Sequence, residues 1–395
     1  MLDLNPPYML CVIHSTNTEA FDTNRPRRWL WSRMQVSTLN DKVATSKIDR
    51  ENMLQILEET PETYEQAYTA ALKSNTLPHT PARSPAHLAL VGMGGSAMAG
   101  DILKAWLFES PTTMEVIRGS RLPGSITAST HVLVSSYSGQ TAETLKALKE
   151  ARRRKSRVSC IASEGQLLKI CRKDRIPHVE VRPGLQPREA LPHLLSASLV
   201  TLERWGVCSH RSVRVELRTV AEQLRELRKT IGFARPQSEN PAKQLAVQLQ
   251  GTIPFIYAPQ PLAAAGRRFK NQLNENSKVL AKFEIIPEML HNEVQGWRML
   301  KEDRFADSVS FVLLRGCETE DEADQFDRLT RFIRECGGKG VYEISVNSPT
   351  RLACILATIY YCDYVSFYLA ISRGVDPTPI DTIQLLKGST RFPSD

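Results

Sequence analysis

The stretches Asn274-Glu275-Asn276-Ser277-Lys278 and Pro287-Glu288-Met289-Leu290-His291-Asn292-Glu293 hold the densest set of side chains suited to proton transfer. Carboxylates, an imidazole, a lysine and amides gather there around an apolar interval, Val279 to Ile286, that reads as core. Polar side chains hung on a buried element need partners, and a binding site supplies them. A carboxylate with an imidazole can take a proton from carbon and pass another between oxygens.

Two strand-to-helix turns could hold an anion. His87-Leu-Ala-Leu-Val91 is an apolar strand running into Gly92-Met93-Gly94-Gly95-Ser96, with a helix following over 97–107. Glycines let backbone N–H groups approach an anion, and a helix N-terminus favours negative charge. The spacing is neither G-x-G-x-x-G nor a P-loop, which disfavours a nucleotide or dinucleotide. A plain tight turn is the alternative. The second turn, Ser136-Tyr137-Ser138-Gly139-Gln140-Thr141, stands between a strand over 131–135 and a helix over 142–153. Ser136, Ser138 and Thr141 each offer a hydroxyl to a phosphate oxygen. Thr141 also suits a helix N-cap, which accounts for one hydroxyl and not three.

The elements around these turns alternate. Strands over 116–118, 158–162 and 178–181 join those at 87–91 and 131–135, and helices over 166–172 and 192–204 complete the unit. Two further helices lead into it, one ending before Pro61 and one over 64–72. Residues 211–240 read as a charged helical connector. A second alternation follows, with strands over 252–257, 283–286, 308–314 and 341–344 and helices over 262–275, 321–336, 352–372 and 381–386. Short connections between strand and helix imply a parallel sheet covered on both faces. The expected fold class is α/β: two doubly wound parallel-sheet domains, 48–210 and 241–395, joined by the connector, with ligands at the carboxyl ends of the strands. Residues 1–47 lack sustained periodicity and read as a poorly ordered extension, although Trp29 and Trp31 are costly to leave exposed.

Length and composition agree. At 395 residues the chain has room for about two domains. The 42% apolar content is that of a globular protein. No run of about 18 apolar residues stands out, so no membrane span is expected, and Tyr8 to Ile13 lacks the basic region that precedes a secretory core. The eight cysteines are scattered without metal-ligand spacing, which fits reduced thiols in a cytoplasm and argues against a zinc site. The net charge of +8 owes much to Arg152-Arg153-Arg154-Lys155 and Arg157, a solvated run at a helix C-terminus. It has no interleaved aromatics, so nucleic acid is not an expected partner.

These motifs, in this order, resemble the bifunctional phosphoglucose/phosphomannose isomerases of the sugar isomerase (SIS) domain proteins. The resemblance rests on Gly92 to Ser96, Ser136 to Thr141, Gln186-Pro187-Arg188, Asn274 to Lys278, Pro287 to Glu293, Gly374-Val-Asp-Pro-Thr-Pro379 and Leu386-Lys387. It covers residue 48 to the end. It implies two SIS domains and a homodimer with shared active sites, whose substrate is a hexose 6-phosphate and which needs no cofactor or metal. By the resemblance, Ser136, Ser138 and Thr141 bind the phosphate, with Gly94, Gly95 and Ser96 near the sugar. Glu275 is the base, His291 opens the ring from the partner chain, Arg188 steadies charge near C1 and C2, and Lys387 reaches the site. Ser163-Glu164-Gly165 departs from the family's Ser/Thr-Gly-Gly, and the family's C-terminal threonine could match Thr378 or Thr382. Non-catalytic phosphosugar sensors also use SIS domains, but there the base and histidine are not required. An isomerase restricted to one hexose phosphate is a further alternative.

The residue types suit that chemistry. Isomerisation opens the ring, removes a proton from C2 and returns it to C1 through a cis-enediol, which one positioned carboxylate can do. Imidazole titrates in the range needed to shuttle a proton during ring opening. The enediolate is anionic, and arginine is always cationic. Carbon 2 becomes planar, so the glucose and mannose epimers share one intermediate. Glycolysis and gluconeogenesis are the expected setting.

Overall fold

The computed structural model describes residues 38–74, 76–77, 84–302, 305–338 and 340–387. The readings of residues 1–37, including Trp29 and Trp31, fall outside them. The chain divides into two units. One comprises Glu59–Arg225 and Ser348–Leu356; the other comprises Glu226–Asn347 and Ala357–Asp395 with the chain up to Glu58.

The first unit is built on five strands, β1 (His87–Val91), β2 (Thr113–Ile117), β3 (His131–Ser135), β4 (Arg157–Ala162) and β5 (His178–Glu180). All pair parallel, in the order β2-β1-β3-β4-β5. β3 lies in the middle and is buried at every position, as a strand covered on both faces must be. Helices Gly95–Trp106, Ala142–Arg153 and Gly165–Asp174 follow β1, β3 and β4 directly, and Leu191–Arg204 closes the unit.

The second unit carries β6 (Ile253–Pro259), β7 (Lys282–Ile286), β8 (Val309–Arg315) and β9 (Val341–Ser345), also parallel, in the order β7-β6-β8-β9. Its helices are Pro241–Gln248, Ala263–Glu275, Glu320–Glu335 and the end of Arg351–Ser372. An 18-residue window in Arg351–Ser372 has mean hydropathy 1.5, apolar enough for a membrane span, yet every residue in it is buried inside the protein. Its apolarity is that of a core helix. The charged connector is the helix His210–Ile231.

Two expectations need correction. Met53–Leu72 is a single helix that runs through Pro61, not two helices. Its buried positions Met53, Leu57, Tyr64, Tyr68 and Ala71 keep one helical stripe across the proline, so burial outweighs the lost N–H bond. Order also begins before residue 48. Asp41 caps helix Lys42–Ile48 by accepting from the N–H groups of Val43 and Ala44. Leu39 is fully buried. Asn40 Oδ1 accepts from the N–H of Gln237 at 2.9 Å and from Lys243 Nζ at 3.4 Å. A helix of seven residues is marginal alone, and tertiary anchoring holds this one.

Candidate functional site

In the five-stranded unit, β2 lies on one side of β1 and β3 on the other. Such a switch in strand order opens a crevice outside the strands' carboxyl ends. The glycine turn after β1 and the hydroxyl turn after β3 both leave from that point. Ser136 is buried, and its Oγ donates to Thr141 Oγ1 at 3.1 Å. Thr141 stands at the N-cap of Ala142–Arg153, but its side chain makes no cap bond, so capping does not account for its hydroxyl. Ser138 is half-buried, and its Oγ accepts from the Gln140 N–H at 3.3 Å. Gly139 has φ +62°, and a Cβ there would collide with the Glu164 carbonyl oxygen. The loop after β4 is thus pressed on the hydroxyl loop. This gives Ser163-Glu164-Gly165 its role here: the Ser163 N–H and Oγ both donate to the Tyr137 carbonyl, at 2.9 and 2.6 Å.

The glycine turn joins the same assembly. Gly94 is the N-cap of helix Gly95–Trp106, and the buried Ser96 Oγ accepts from the Tyr137 N–H at 3.0 Å. Gly95 packs on the peptide between Pro187 and Arg188, where a Cβ would stand 2.7 Å from the Pro187 carbonyl carbon and oxygen. Arg188 is 3% exposed. Its loop is held by the Tyr137 hydroxyl, which donates to the Arg182 carbonyl at 2.8 Å and accepts from the Leu185 N–H at 2.9 Å. Burial, with Glu164 and Glu189 nearby, raises the Tyr137 pKa and keeps the phenol protonated as a donor. Ser136, Ser138, Thr141, Gly94, Gly95, Ser96 and Arg188 therefore gather at one end of this sheet. Sequence reasoning missed Tyr137; its available signal was a tyrosine directly after the apolar strand 131–135, where a buried phenol must find a partner.

The four-stranded unit sorts the polar block. Glu275 is the last residue of its helix and is half-buried. Its neighbours are used to fix it. Asn276 Nδ2 donates to Ser366 Oγ at 3.0 Å, and Ser277 Oγ donates to the Ser366 carbonyl at 2.7 Å. Lys278 Nζ donates to the carbonyls of Asp376 and Pro377, at 2.6 and 3.2 Å. Two turns earlier the helix is tied by a buried fork, Arg268 Nε to Asp363 Oδ1 at 3.0 Å and Nη2 to Oδ2 at 2.8 Å. Removing one partner of such a pair costs about 3–5 kcal/mol. The Lys278 clamp also brings the C-terminal segment to this helix end. Thr378 is buried there, with its N–H on Asp376 Oδ1 at 3.0 Å, whereas Thr382 is exposed. Lys387, at the C-cap of Asp381–Leu386, is exposed.

His291 is elsewhere. It is exposed and ends the short 3-10 turn Glu288–His291, which follows β7. Glu293 pairs with Lys282 rather than with the histidine. The topology separates the Glu275 carboxylate from the His291 imidazole. Glu275 precedes the amino end of β7 and His291 follows its carboxyl end, so a strand of about 16 Å stands between them. Glu275 therefore lies away from the carboxyl ends of the strands in its own sheet, because a helix following a parallel strand ends at the opposite edge.

Among the described residues, no three His, Cys, Asp or Glu side chains come together as metal ligands. The basic run is largely occupied. Arg152 pairs with Asp174 at 2.5 Å, and Arg154 donates to the carbonyls of Leu122 and Ile126 at 2.7 and 3.0 Å.

Comparison with known proteins bears on this arrangement. The family profile described as bacterial phospho-glucose isomerase C-terminal SIS domain matches residues 238–389. The chain is 30% identical over 331 residues to a bifunctional phosphoglucose/phosphomannose isomerase of Caldicellulosiruptor bescii, covering 83% of this chain and 95% of that one. A protein of the same name from Aquifex aeolicus is 32% identical over 300 residues, covering 75% and 88%. Among solved structures, a glucose-6-phosphate isomerase like protein of Thermus thermophilus shares the fold, with TM-score 0.55 at 20% identity over 87% of this chain and 98% of that one.

Proposed function

Because the chain belongs to the bifunctional phosphoglucose/phosphomannose isomerase family, we propose that it interconverts glucose 6-phosphate and mannose 6-phosphate with fructose 6-phosphate. The observation that carries the chemical assignment is the sorting of the polar block: Asn276, Ser277 and Lys278 are spent on fixing a helix end whose last side chain is Glu275. A carboxylate held this way can stay over two adjacent carbons.

The roles follow from residue chemistry. Ser136, Ser138 and Thr141, with the amides at the start of Ala142–Arg153, bind the phosphate dianion. The glycine turn, Gly94 to Ser96, lines the sugar. His291 moves the proton between O1 and O5 that opens the ring. Glu275 takes the proton from C2 and returns it to C1, leaving a planar cis-enediol between the two steps. Arg188 offsets the charge that grows on the enediolate oxygens. Lys387, on a segment tied near Glu275 by Lys278, supplies a second cation. A planar C2 that turns about the C2–C3 bond presents either face to this one carboxylate, which gives both aldose epimers. No step assigned here calls for a metal or other cofactor.

The enzyme acts as a homodimer in this reading. Glu275 and His291 lie beyond opposite ends of β7, so a complete site takes its base and its imidazole from different chains. No disulfide joins the described cysteines, which supports a reducing cytoplasm, the compartment of glycolysis and gluconeogenesis.

The test is one assay. Purified protein is given fructose 6-phosphate, and glucose 6-phosphate and mannose 6-phosphate are scored by separate coupled reactions. Both products are expected. One product alone restricts the enzyme to a single hexose phosphate, and binding without turnover makes it a sensor.

A further inference from the structure

Three loops of the five-stranded unit converge on one residue of a fourth that has no part in the reaction as assigned. The Tyr137 N–H donates to Ser96 Oγ at 3.0 Å. Its carbonyl accepts from both the N–H and the Oγ of Ser163. Its hydroxyl bridges the Arg182 carbonyl and the Leu185 N–H, at 2.8 and 2.9 Å. Its own backbone runs between Ser136 and Ser138. The ring is 5% exposed, so these partners are not exchanged with water. On its other side the Arg188 loop meets Gly95, which leaves no room for a Cβ. The loop that leads to Arg188 is thereby held at two points, by the tyrosine hydroxyl at Arg182 and Leu185 and by the helix start at the Pro187–Arg188 peptide.

We propose that Tyr137 is a positioning residue for Arg188: its hydroxyl fixes the Arg182–Leu185 segment so that the guanidinium meets the enediolate oxygens once the adjacent serines hold the phosphate. The inference rests on the isomerase reading. It assigns to the turn between Ser136 and Ser138 a second task besides phosphate capture. A misplacement of about 1 Å in a charge-stabilising group costs up to roughly 10²-fold in rate. Ser136 Oγ bonds Thr141 Oγ1 and Ser138 Oγ bonds the Gln140 N–H, so these hydroxyls are not tied to the phenol by those bonds.

Tyr137→Phe keeps the ring and removes only the hydroxyl. Wild-type turnover is measured first; its absence would sink the isomerase reading, not this inference. With turnover established, the variant should lose about 10- to 100-fold in kcat, with KM within about threefold of wild type. Two ligands then separate positioning from general loosening. Sorbitol 6-phosphate, which has no carbonyl, should bind the variant within about threefold of wild type. A phosphorylated five-carbon hydroxamate, which mimics the planar enediolate, should bind at least about tenfold more weakly. In an Arg188→Ala background, the added Tyr137→Phe change should alter kcat less than about twofold, because the group it positions is gone. Equal losses for both ligands, or effects of the two substitutions that multiply, would overturn the inference. Both ligands are read by calorimetry on folded protein, so the outcome does not depend on residual activity.

Discussion

The hydroxyl loops of the five-stranded unit hang on one another, whereas Glu275 hangs on the end of one helix. In the first region Ser136 bonds Thr141, Tyr137 bonds Ser96 and Ser163, and glycines press the loops together. In the second, the fixing is done from behind: Asn276, Ser277 and Lys278 bind a neighbouring helix and the C-terminal segment. The difference suits the tasks proposed for the two regions. A phosphate dianion is recognised by many weak donors converging from different loops. A proton-transfer base must be one group, held in one orientation over the carbons it serves. Changes in the first region should therefore be graded, and changes in the second abrupt.

The sharpest break falls on Glu275. Glu275→Gln keeps size and hydrogen bonding while removing the base, and losing a positioned base costs about 10² to 10⁴ in rate. Sorbitol 6-phosphate binding, by contrast, should stay within about threefold of wild type. Turnover near the wild-type level, read in the coupled assay, would take the base role away from Glu275.

Next in size is His291, which tests whether the two ends of β7 act in different copies of the site. His291→Ala should be inactive on cyclic substrate. Mixed in equal amounts with Glu275→Gln under conditions that let subunits exchange, it should regain roughly a quarter of wild-type activity, because half the dimers are mixed and each holds one complete site. No recovery in dimers proven to be mixed would put both groups in one chain's site.

The hydroxyl loop should answer more gently. Ser138→Ala removes one hydrogen bond to a charged group, worth about 1.5–3 kcal/mol, far from the reacting carbons. KM should rise roughly tenfold with kcat little changed, the signature of uniform binding. An unchanged KM would reduce Ser138 to a turn residue. A fall in kcat alone would erase the contrast between the two regions.

Why one region was more legible than the other is a matter of range. Gly92 to Ser96 and Ser136 to Thr141 are strand-to-helix turns, and local sequence declares both the glycines and the hydroxyls. Glu275 and His291 stood out as a carboxylate and an imidazole flanking an apolar strand. What local pattern cannot carry is a partner far along the chain. The Tyr137 hydroxyl is satisfied by Arg182 and Leu185, and Arg268 by Asp363. Lys278 looked like a member of the catalytic cluster; its ammonium instead holds the carbonyls of Asp376 and Pro377. Pro61 looked like a helix stop because its missing N–H is local, while the apolar stripe that overrides it spans the whole helix. The helix Lys42–Ile48 escaped notice because a short helix shows too few turns for periodicity to register, and its anchors lie near residues 237–243.

That last segment gives the smallest expected effect, and one on stability rather than turnover. Lys243 is fully buried, and burial lowers its pKa to about 8. Its Nζ donates to the carbonyls of Phe233 and Arg235, both at 2.8 Å, and to Asn40 Oδ1. Removing the chain before Ile48 deletes Asn40, the buried Leu39, and Thr45, whose Oγ1 donates to the Thr38 carbonyl at 2.9 Å. Losing a buried leucine side chain alone costs about 2–5 kcal/mol. For a domain of this size that is roughly 5–15 °C in Tm. None of these residues touches the Glu275 helix end or the hydroxyl loops in the bonds described above, so kcat and KM at 25 °C should stay within about twofold. Thermal unfolding of a chain beginning at Ile48, set beside one beginning at Thr38, separates this anchor from everything that precedes it. Identical melting curves for the two would show that the Asn40–Lys243 contact holds nothing in place.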